Sequence, residues 1–253
     1  MRTFLRGLVL VSAVGFGMTG VAQTAPAAPA PVSAEKQLAA AQAKLQDWAA
    51  LGRYREENAA LAAPAAGEQR VVFYGDSITD AWGRAAGTGT FFPGKPYVNR
   101  GISGQTTAQM VVRFHPDVVN LKPKVVVILA GTNDVAENTG PMTPEMTLDN
   151  FRAMAEIARA NGIKVVVASI LPAGEFWWHK GLEPAPKIRA LNQRLEGWCR
   201  SEGIVWVDYY SAMADASGAM KPRLSADGVH PNAAGYAIMG PLAEAGINKA
   251  LGK

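Results

Sequence analysis

The sequence predicts an α/β fold in which helices cover both faces of a five-stranded parallel sheet. From residue 67 onward, short runs of β-branched and aromatic residues alternate with longer segments of helical periodicity. The run at 124–130, KVVVILA, is apolar without interruption, which is typical of a central parallel strand buried on both faces. The helical segment before the fourth strand ends in Asn161 and Gly162, a frequent helix stop signal.

Each strand and helix has its own local signal. The first strand is a Val-Val-Phe-Tyr run that stops at Gly75, after which Asp76 and Ser77 are residue types that favour turns and helix starts. The pattern contains no internal repeat and no second core. The predicted strands are residues 71–74, 97–99, 124–130, 163–169 and 204–208. The predicted helices that follow them are residues 106–114, 146–160, 186–200 and 232–250.

Composition limits the classes of function. The chain has 253 residues, enough for one α/β domain with a full core, and 49% hydrophobic residues, which excludes a disordered chain. Its formal net charge of +4 is not concentrated in a dense Lys/Arg block, so we expect no nucleic-acid partner. The single cysteine, Cys199, cannot form an internal disulfide, and we interpret it as a helix-packing residue rather than a nucleophile.

Residues 1–22 have the pattern of a signal peptide. Arg2 and Arg6 give a positive start, and residues 8–18 form an apolar run that is too short to span a bilayer. Small residues precede a predicted cleavage site after Ala22. The sequence therefore predicts a periplasmic or secreted protein without a stable membrane anchor after cleavage. An uncleaved membrane anchor is the alternative.

Two segments separate this leader from the main domain. Residues 23–33 are rich in Ala and Pro and predict a linker that cannot pack. Residues 34–66 predict an N-terminal helical extension with helical stretches at 34–50 and 54–62. We expect this extension to pack on the outside of the main domain, residues 67–253; a partner-binding helix is the alternative.

Polar residues follow every predicted strand. In parallel strands linked by helices, all carboxyl ends lie at one edge of the sheet, where such folds bind ligands. We therefore expect the five post-strand segments to meet on one rim. They contain Ser77, the glycine-rich segment 99–107, Asn133, the aromatic loop 173–181, and Asp227 with His230.

This set of residues suits acyl transfer. A serine hydroxyl such as Ser77 needs a base to remove its proton, and the imidazole of His230 suits that role. Asp227 lies three residues earlier, so one turn brings its carboxylate to the ring. The Ser77 and Gly104 N–H groups and the Asn133 side-chain amide are placed to stabilise an oxyanion. The alternative interpretation of Ser77 taken alone is that it only caps a helix.

Four sequence blocks together resemble the SGNH (GDSL-type) hydrolases. The blocks are GDSITD at 75–80, NRGISG at 99–104, GTND at 131–134 and DGVHPN at 227–232, in the family order. The closest-looking members are exported bacterial GDSL-like lipases or acylhydrolases and the platelet-activating-factor-acetylhydrolase-like branch. The first block lacks the G-x-S-x-G elbow of α/β-hydrolases.

The resemblance implies a flavodoxin-like three-layer αβα sandwich, the SGNH hydrolase fold, over residues 67–253. It also implies a serine esterase that needs no metal or cofactor. The roles it assigns match those argued from the residues: Ser77 as nucleophile, His230 and Asp227 as base and acid, and Ser77, Gly104 and Asn133 as oxyanion donors.

Further candidates for substrate binding are less well defined by the pattern. Trp177 and Trp178 stand in a glycine-flanked loop after the fourth strand, and we expect one of them to form a wall of the substrate cleft. His179 in the same loop and Arg100 after the second strand are further candidates, with surface and ion-pair roles as alternatives. His115 is interpreted as a helix C-terminal residue.

The sequence leaves competing functions open. We favour an exported carboxylic-ester hydrolase that acts on short acyl, chiefly acetyl, esters of carbohydrates. A lysophospholipase-like lipid acyl hydrolase is the alternative, and a non-catalytic carbohydrate-binding module is a weaker one because all three triad residues are present. A flavodoxin-type nucleotide site is disfavoured because Asp76 and Asp80 would repel phosphate. The oligomeric state stays open.

Overall fold

The computed structural model describes residues 33–253. The predicted signal peptide, residues 1–22, and the linker to residue 32 lie outside the described residues. The chain divides into two units, Met1–Ala40 and Ala41–Lys253, and the second unit contains the sheet.

Five parallel strands form one sheet. They are β1 (Val71–Gly75), β2 (Tyr97–Gly101), β3 (Val125–Leu129), β4 (Lys164–Ala168) and β5 (Val205–Val207). Their spatial order is β2-β1-β3-β4-β5, and all pairs are parallel. Every residue of β1 and β3 is buried, as the continuous apolar runs predicted. The predicted α/β fold with a five-stranded parallel sheet is confirmed.

The strand order fixes where a ligand can bind. The chain moves from β1 outward to β2, then returns to the other side of β1 to form β3. The direction of winding therefore reverses between β1 and β3, and open α/β sheets bind ligands at the carboxyl ends of strands beside such a reversal. Ser77 follows β1 and Asn133 follows β3, so both lie at this point.

Helices cover both faces of the sheet. The helices in the described part of the chain are α1 (Ala34–Gln46), α2 (Arg55–Ala60), α3 (Ser77–Ala81), α4 (Thr107–Asp117), α5 (Thr132–Val135), α6 (Pro144–Ala160), α7 (Pro184–Ser201), α8 (Tyr209–Met213) and α9 (Ala233–Leu251). Buried Phe114, Phe151 and Leu195 of α4, α6 and α7 pack on one face, and buried Met239 and Ile247 of α9 pack on the other. Full burial of each such side chain contributes roughly 1.5–3 kcal/mol. The result is a three-layer αβα sandwich.

Some boundaries differ from the predicted ones. Strand β2 continues to Gly101, two residues beyond the predicted end, because its register with β1 extends that far. Helix α4 continues to Asp117, so His115 lies in its last turn, and Pro116 is accommodated there. Helices α5 and α8 were not predicted, since four or five residues are too few to show a helical period.

The segment around α2 lies against the β2 edge of the sheet. The Tyr54 ring is fully buried, with the guanidinium carbons of Arg53 and Arg100 each 4.6 Å from its centroid. The Tyr54 hydroxyl donates a hydrogen bond to the Gly101 carbonyl. Asn58 of α2 donates to the Asp117 carboxylate at 2.8 Å. These contacts join the segment to β2 and to the end of α4.

Cys199 is buried in α7 as a free thiol. Burial and the nearby Glu196 carboxylate raise the pKa of the thiol to about 12. The thiol is therefore protonated at neutral pH and is a poor nucleophile, in line with a packing role.

Candidate active site

The turn from β1 into α3 places Ser77 on the rim. Gly75 ends the strand without a side chain, because a Cβ atom there would lie 2.5 Å from the backbone oxygen of Leu129. Asp76 has extended backbone (φ −96°, ψ −150°), and its carboxylate accepts the Ile78 N–H at 3.0 Å. Asp76 is thus the N-cap, and Ser77 becomes the first residue of α3.

The three residues predicted as a triad are in hydrogen-bond contact. The Ser77 Oγ atom is 2.8 Å from His230 Nε2, and His230 Nδ1 is 2.7 Å from Asp227 Oδ2. The second carboxylate oxygen, Asp227 Oδ1, accepts the backbone N–H groups of His230 at 2.8 Å and Val229 at 2.9 Å. It also accepts the Ser225 hydroxyl at 3.0 Å. The carboxylate is therefore fixed on both oxygens.

The charge of Asp227 decides the tautomer of His230. Partial burial acts to raise the pKa of Asp227. This effect is outweighed by the hydrogen bonds from the His230 ring and from the backbone N–H groups of His230 and Val229. The pKa of Asp227 is therefore lowered well below its usual range. An ionised carboxylate can only accept, so His230 Nδ1 carries the proton. His230 Nε2 then presents its lone pair to the Ser77 hydroxyl, as a general base requires.

The loop after β2 is tied to α3. The Asp80 carboxylate oxygen Oδ2 accepts the Ser103 hydroxyl at 2.8 Å and the Ser103 N–H at 3.3 Å. The other oxygen of Asp80 accepts from Arg84 at 2.8 Å. Gly104 follows with φ +79°, a conformation that side-chain residues rarely adopt. The position of the Gly104 backbone is thus fixed relative to the helix that carries Ser77.

Asn133 lies in the first turn of α5 and is buried. Its amide nitrogen Nδ2 donates to the Gln105 carbonyl at 2.9 Å, and its oxygen Oδ1 accepts from Asn138 Nδ2 at 2.7 Å. A primary amide has two N–H groups, so one remains for a ligand. Neighbouring Asp134 accepts the Thr107 N–H at 3.0 Å and attaches α5 to the start of α4.

Ser77, His230, Gly104 and Asn133 border a single cavity of about 330 Å³. Asp227 lies behind His230 and does not line it. Two of the predicted substrate residues, Trp177 and Trp178, do line it: the Trp177 side chain is 61% exposed, whereas Trp178 stacks on Phe176 with ring centroids 4.9 Å apart. The lining residues are Ser77, Ser103, Gly104, Asn133, Asn138, Trp177, Trp178 and His230.

Two other predicted substrate-binding residues lie outside this cavity. Arg100 is buried, donates from Nε to Asn58 Oδ1 at 2.8 Å, and lies 3.6 Å from the Glu57 carboxylate. His179 donates from Nδ1 to the Ala136 carbonyl at 2.8 Å. Since both side chains are engaged elsewhere, we do not retain them as substrate-binding residues.

Two polar contacts at the site were not predicted from the sequence. Asp80 fixes the Gly104 loop through Ser103, and Asn138 contacts the Asn133 amide. The available signal for Asn138 was its place five residues after Asn133, within the same post-strand turn. Within residues 33–253, no group of three or more His, Cys, Asp or Glu side chains is arranged to hold a metal ion.

Comparisons with known proteins identify the family of the chain. Residues 73–238 match the model of the GDSL-like lipase/acylhydrolase family. The chain is 30% identical over 200 residues to an acetylxylan esterase from Geobacillus stearothermophilus, covering 68% of this chain and 90% of that protein. It is 29% identical over 185 residues to the human platelet-activating factor acetylhydrolase IB subunit alpha2, covering 70% of this chain and 76% of the relative.

A solved structure has the same fold. The crystal structure of a GDSL-like lipase from Bacteroides thetaiotaomicron superposes with a TM-score of 0.76 at 48% sequence identity, and covers 80% of this chain and 98% of its own. The family match extends over more than half of the chain and includes Ser77, Asn133 and His230. The chain therefore belongs to the GDSL-like lipase/acylhydrolase family and is a carboxylic-ester hydrolase.

Proposed function

We propose that the protein is an exported serine esterase that removes short acyl groups from carbohydrate esters through Ser77, His230 and Asp227. The observation that carries this proposal is the continuous contact from Ser77 Oγ through His230 to Asp227, at 2.8 Å and 2.7 Å, beside a cavity that Gly104 and Asn133 also line.

In the acylation step, the Ser77 oxygen attacks the ester carbonyl carbon while its proton passes to His230 Nε2. The carbonyl oxygen becomes an oxyanion, which accepts from the Ser77 N–H, the Gly104 N–H and the free Asn133 amide N–H. The Asp227 carboxylate stabilises the imidazolium ion of His230. Collapse of the intermediate breaks the bond to the alcohol oxygen, and His230 returns its proton to that oxygen.

In the deacylation step, a water molecule attacks the acyl group on Ser77. His230 removes the water proton, and the same three N–H donors hold the second oxyanion. Collapse breaks the bond to the Ser77 oxygen, which takes the proton back from His230. The products are a carboxylic acid, the free alcohol and the regenerated enzyme.

The lining of the site supports a carbohydrate ester. The cavity beside Ser77 adjoins a second space of about 500 Å³ that shares Ser103, Gly104 and Asn138 with it and reaches Trp48. Exposed indole rings among polar groups suit the alternating apolar faces and hydroxyls of sugars. The acetylxylan esterase relative supports the same substrate class.

A lipid ester is the second candidate. The observation that favours it is the 61% exposed Trp177 ring at the cavity mouth, which offers apolar contact to an acyl chain as well as to a sugar. A direct comparison of kcat/KM for acetylated xylo-oligosaccharides and for a lysophospholipid separates the two. The proposal expects the acetylated sugar to be preferred at least tenfold, and a preference for the lysophospholipid would contradict it.

Export rests on the predicted signal peptide. Within residues 33–253, the structure contains no helix long and apolar enough to cross a bilayer. The N-terminal sequence of the protein recovered outside the cytoplasm tests the proposal. It is expected to begin at Gln23, and an intact Met1 on the exported protein would contradict cleavage.

A further inference from the structure

Trp178, Asn138 and Asn133 form a chain of side-chain hydrogen bonds that ends at the oxyanion site. The indole Nε1 of Trp178 donates to Asn138 Oδ1 at 2.9 Å. Asn138 Nδ2 in turn donates to Asn133 Oδ1 at 2.7 Å. All three residues line the cavity beside Ser77. These hydrogen bonds thus connect the loop after β4 with the turn after β3.

The donor and acceptor at the two ends of this hydrogen-bond series fix the orientation of both amide groups. An indole N–H can only donate, so Asn138 must present its oxygen to Trp178 and its NH₂ group to Asn133. At the other end the Gln105 carbonyl can only accept, and it receives the Asn133 Nδ2 group at 2.9 Å. A reversal of either amide would bring two donors or two acceptors together.

Both Asn138 and Trp178 are held in place independently of these side-chain bonds. The Asn138 backbone N–H donates to the Asn133 carbonyl at 3.0 Å, which anchors it on the same turn. The Trp178 ring stacks on buried Phe176 and packs against the core cluster that contains Phe176. These contacts fix the position of the Trp178 ring, and with it the position of the indole N–H group.

We propose that Trp178 and Asn138 are positioning residues that keep the Asn133 amide turned with its NH₂ group toward the oxyanion. This inference rests on the proposed role of Asn133 as an oxyanion donor. An Asn133 amide in the reverse orientation would direct its carbonyl oxygen at the developing negative charge. The chain of bonds excludes that orientation before substrate binds, as preorganised stabilisation requires.

The substitution Trp178→Phe tests the proposal because it removes the N–H donor and retains a ring that can stack on Phe176. We expect kcat for p-nitrophenyl acetate to fall about tenfold with KM within twofold, since removal of a whole oxyanion donor costs about 10²–10³. Asn138→Ala is expected to lower kcat at least as much. Trp198→Phe is the matched control, because Trp198 packs partly buried against the same core cluster and lies outside the cavity.

The double variant Asn133→Ala/Trp178→Phe separates positioning from packing. If Trp178 acts only through Asn133, the double variant has the kcat of Asn133→Ala alone. A further tenfold loss in that background, or a fall in kcat that Trp198→Phe reproduces, overturns the inference. An unchanged kcat in both Trp178→Phe and Asn138→Ala also overturns it.

The same variants show which proposal has failed. If Asn133→Ala itself leaves kcat unchanged, the oxyanion role of Asn133 is wrong, and the positioning role is wrong with it. If Asn133→Ala lowers kcat and the two positioning variants do not, only the further inference is wrong. Thermal unfolding of each variant, read beside the kinetics, shows whether a loss of kcat coincides with a loss of folded protein.

Discussion

Asp227 binds His230 through both of its carboxylate oxygens, one accepting the ring Nδ1–H at 2.7 Å and the other the backbone N–H at 2.8 Å. The short spacing of three residues allows this, because the turn between them brings the His230 main chain back over the carboxylate. The carboxylate therefore fixes the position of the residue as well as the tautomer of its ring.

Asp227→Asn is expected to lower kcat/KM by about 10⁴, since the neutral amide can present its NH₂ group to Nδ1 and favours the wrong tautomer. Steady-state kinetics with p-nitrophenyl acetate measure this loss. Asp215→Asn is the control, because Asp215 is another loop carboxylate that accepts nearby backbone N–H groups and lies outside the cavity. Similar losses in both variants would show that loop structure, rather than the charge beside His230, accounts for the effect.

Asn133→Ala is expected to lower kcat by about 10²–10³, or about 3–4 kcal/mol, with a smaller change in KM. The amide bond to the oxyanion strengthens only as charge develops, so its loss affects the transition state more than the bound substrate. Separate measurement of kcat and KM tests this. An unchanged kcat with a raised KM would instead identify Asn133 as a ground-state binding residue.

Asp76 is expected to make stability depend on pH between about 4 and 7. Its side chain is fully buried, Oδ2 has no hydrogen-bond partner among residues 33–253, and burial raises its pKa to about 7 despite the nearby His230. The pKa of an Asp side chain in an unfolded chain is about 3.9. Between these values the folded chain holds a proton that the unfolded chain has lost, so stability falls as pH rises.

The substitution Asp76→Asn removes this titration and retains a good helix N-cap. The free energy of unfolding in urea, measured at several pH values from 4 to 7, is therefore expected to fall less steeply in the variant than in the wild type. Asp227 acts in a different window: its pKa is lowered, so its contribution is lost only as pH falls below about 4. Equal slopes in the two proteins would mean that Asp76 is ionised in the folded state throughout.

Trp177→Ala is expected to reduce kcat/KM for an acetylated xylo-oligosaccharide several-fold more than for p-nitrophenyl acetate. The exposed ring lines the cavity, where the apolar face of a bound sugar can stack on it. His179→Ala is a control in the same loop, since His179 bonds the Ala136 carbonyl outside the cavity. Equal losses on both esters, or a lower melting temperature alone, would show that Trp177 is structural.

The positions of Ser77, Asn133 and His230 could be predicted because each follows a strand or precedes a helix with a clear local pattern. Because the strands are parallel, their carboxyl ends bring these residues to one edge of the sheet. Arg100 does not line the cavity, for a related reason. Successive residues of a strand point to opposite faces, so Asn99 reaches the carbonyl of Thr79 in α3, whereas Arg100 points to the face where Tyr54 packs.

The bond between Trp178 and Asn138 could not be predicted from the sequence. It joins two loops 40 residues apart, and neither loop has a periodic pattern that fixes its conformation. The bond between Asp80 and Ser103 is similar, because it depends on how the loop after β2 passes over α3. Local signals thus predicted which residues meet at the site, and tertiary packing decided which hydrogen bonds join its loops.

The role of Ser77 as the nucleophile is tested by peptide mapping after reaction with a fluorophosphonate probe. We expect one covalent adduct, located on Ser77, that forms in parallel with the loss of esterase activity and is absent from Ser77→Ala. The Ser77→Ala variant should retain the wild-type fold and lose turnover by several orders of magnitude. An adduct on another residue with Ser77 unmodified, or wild-type turnover by Ser77→Ala, would contradict the account.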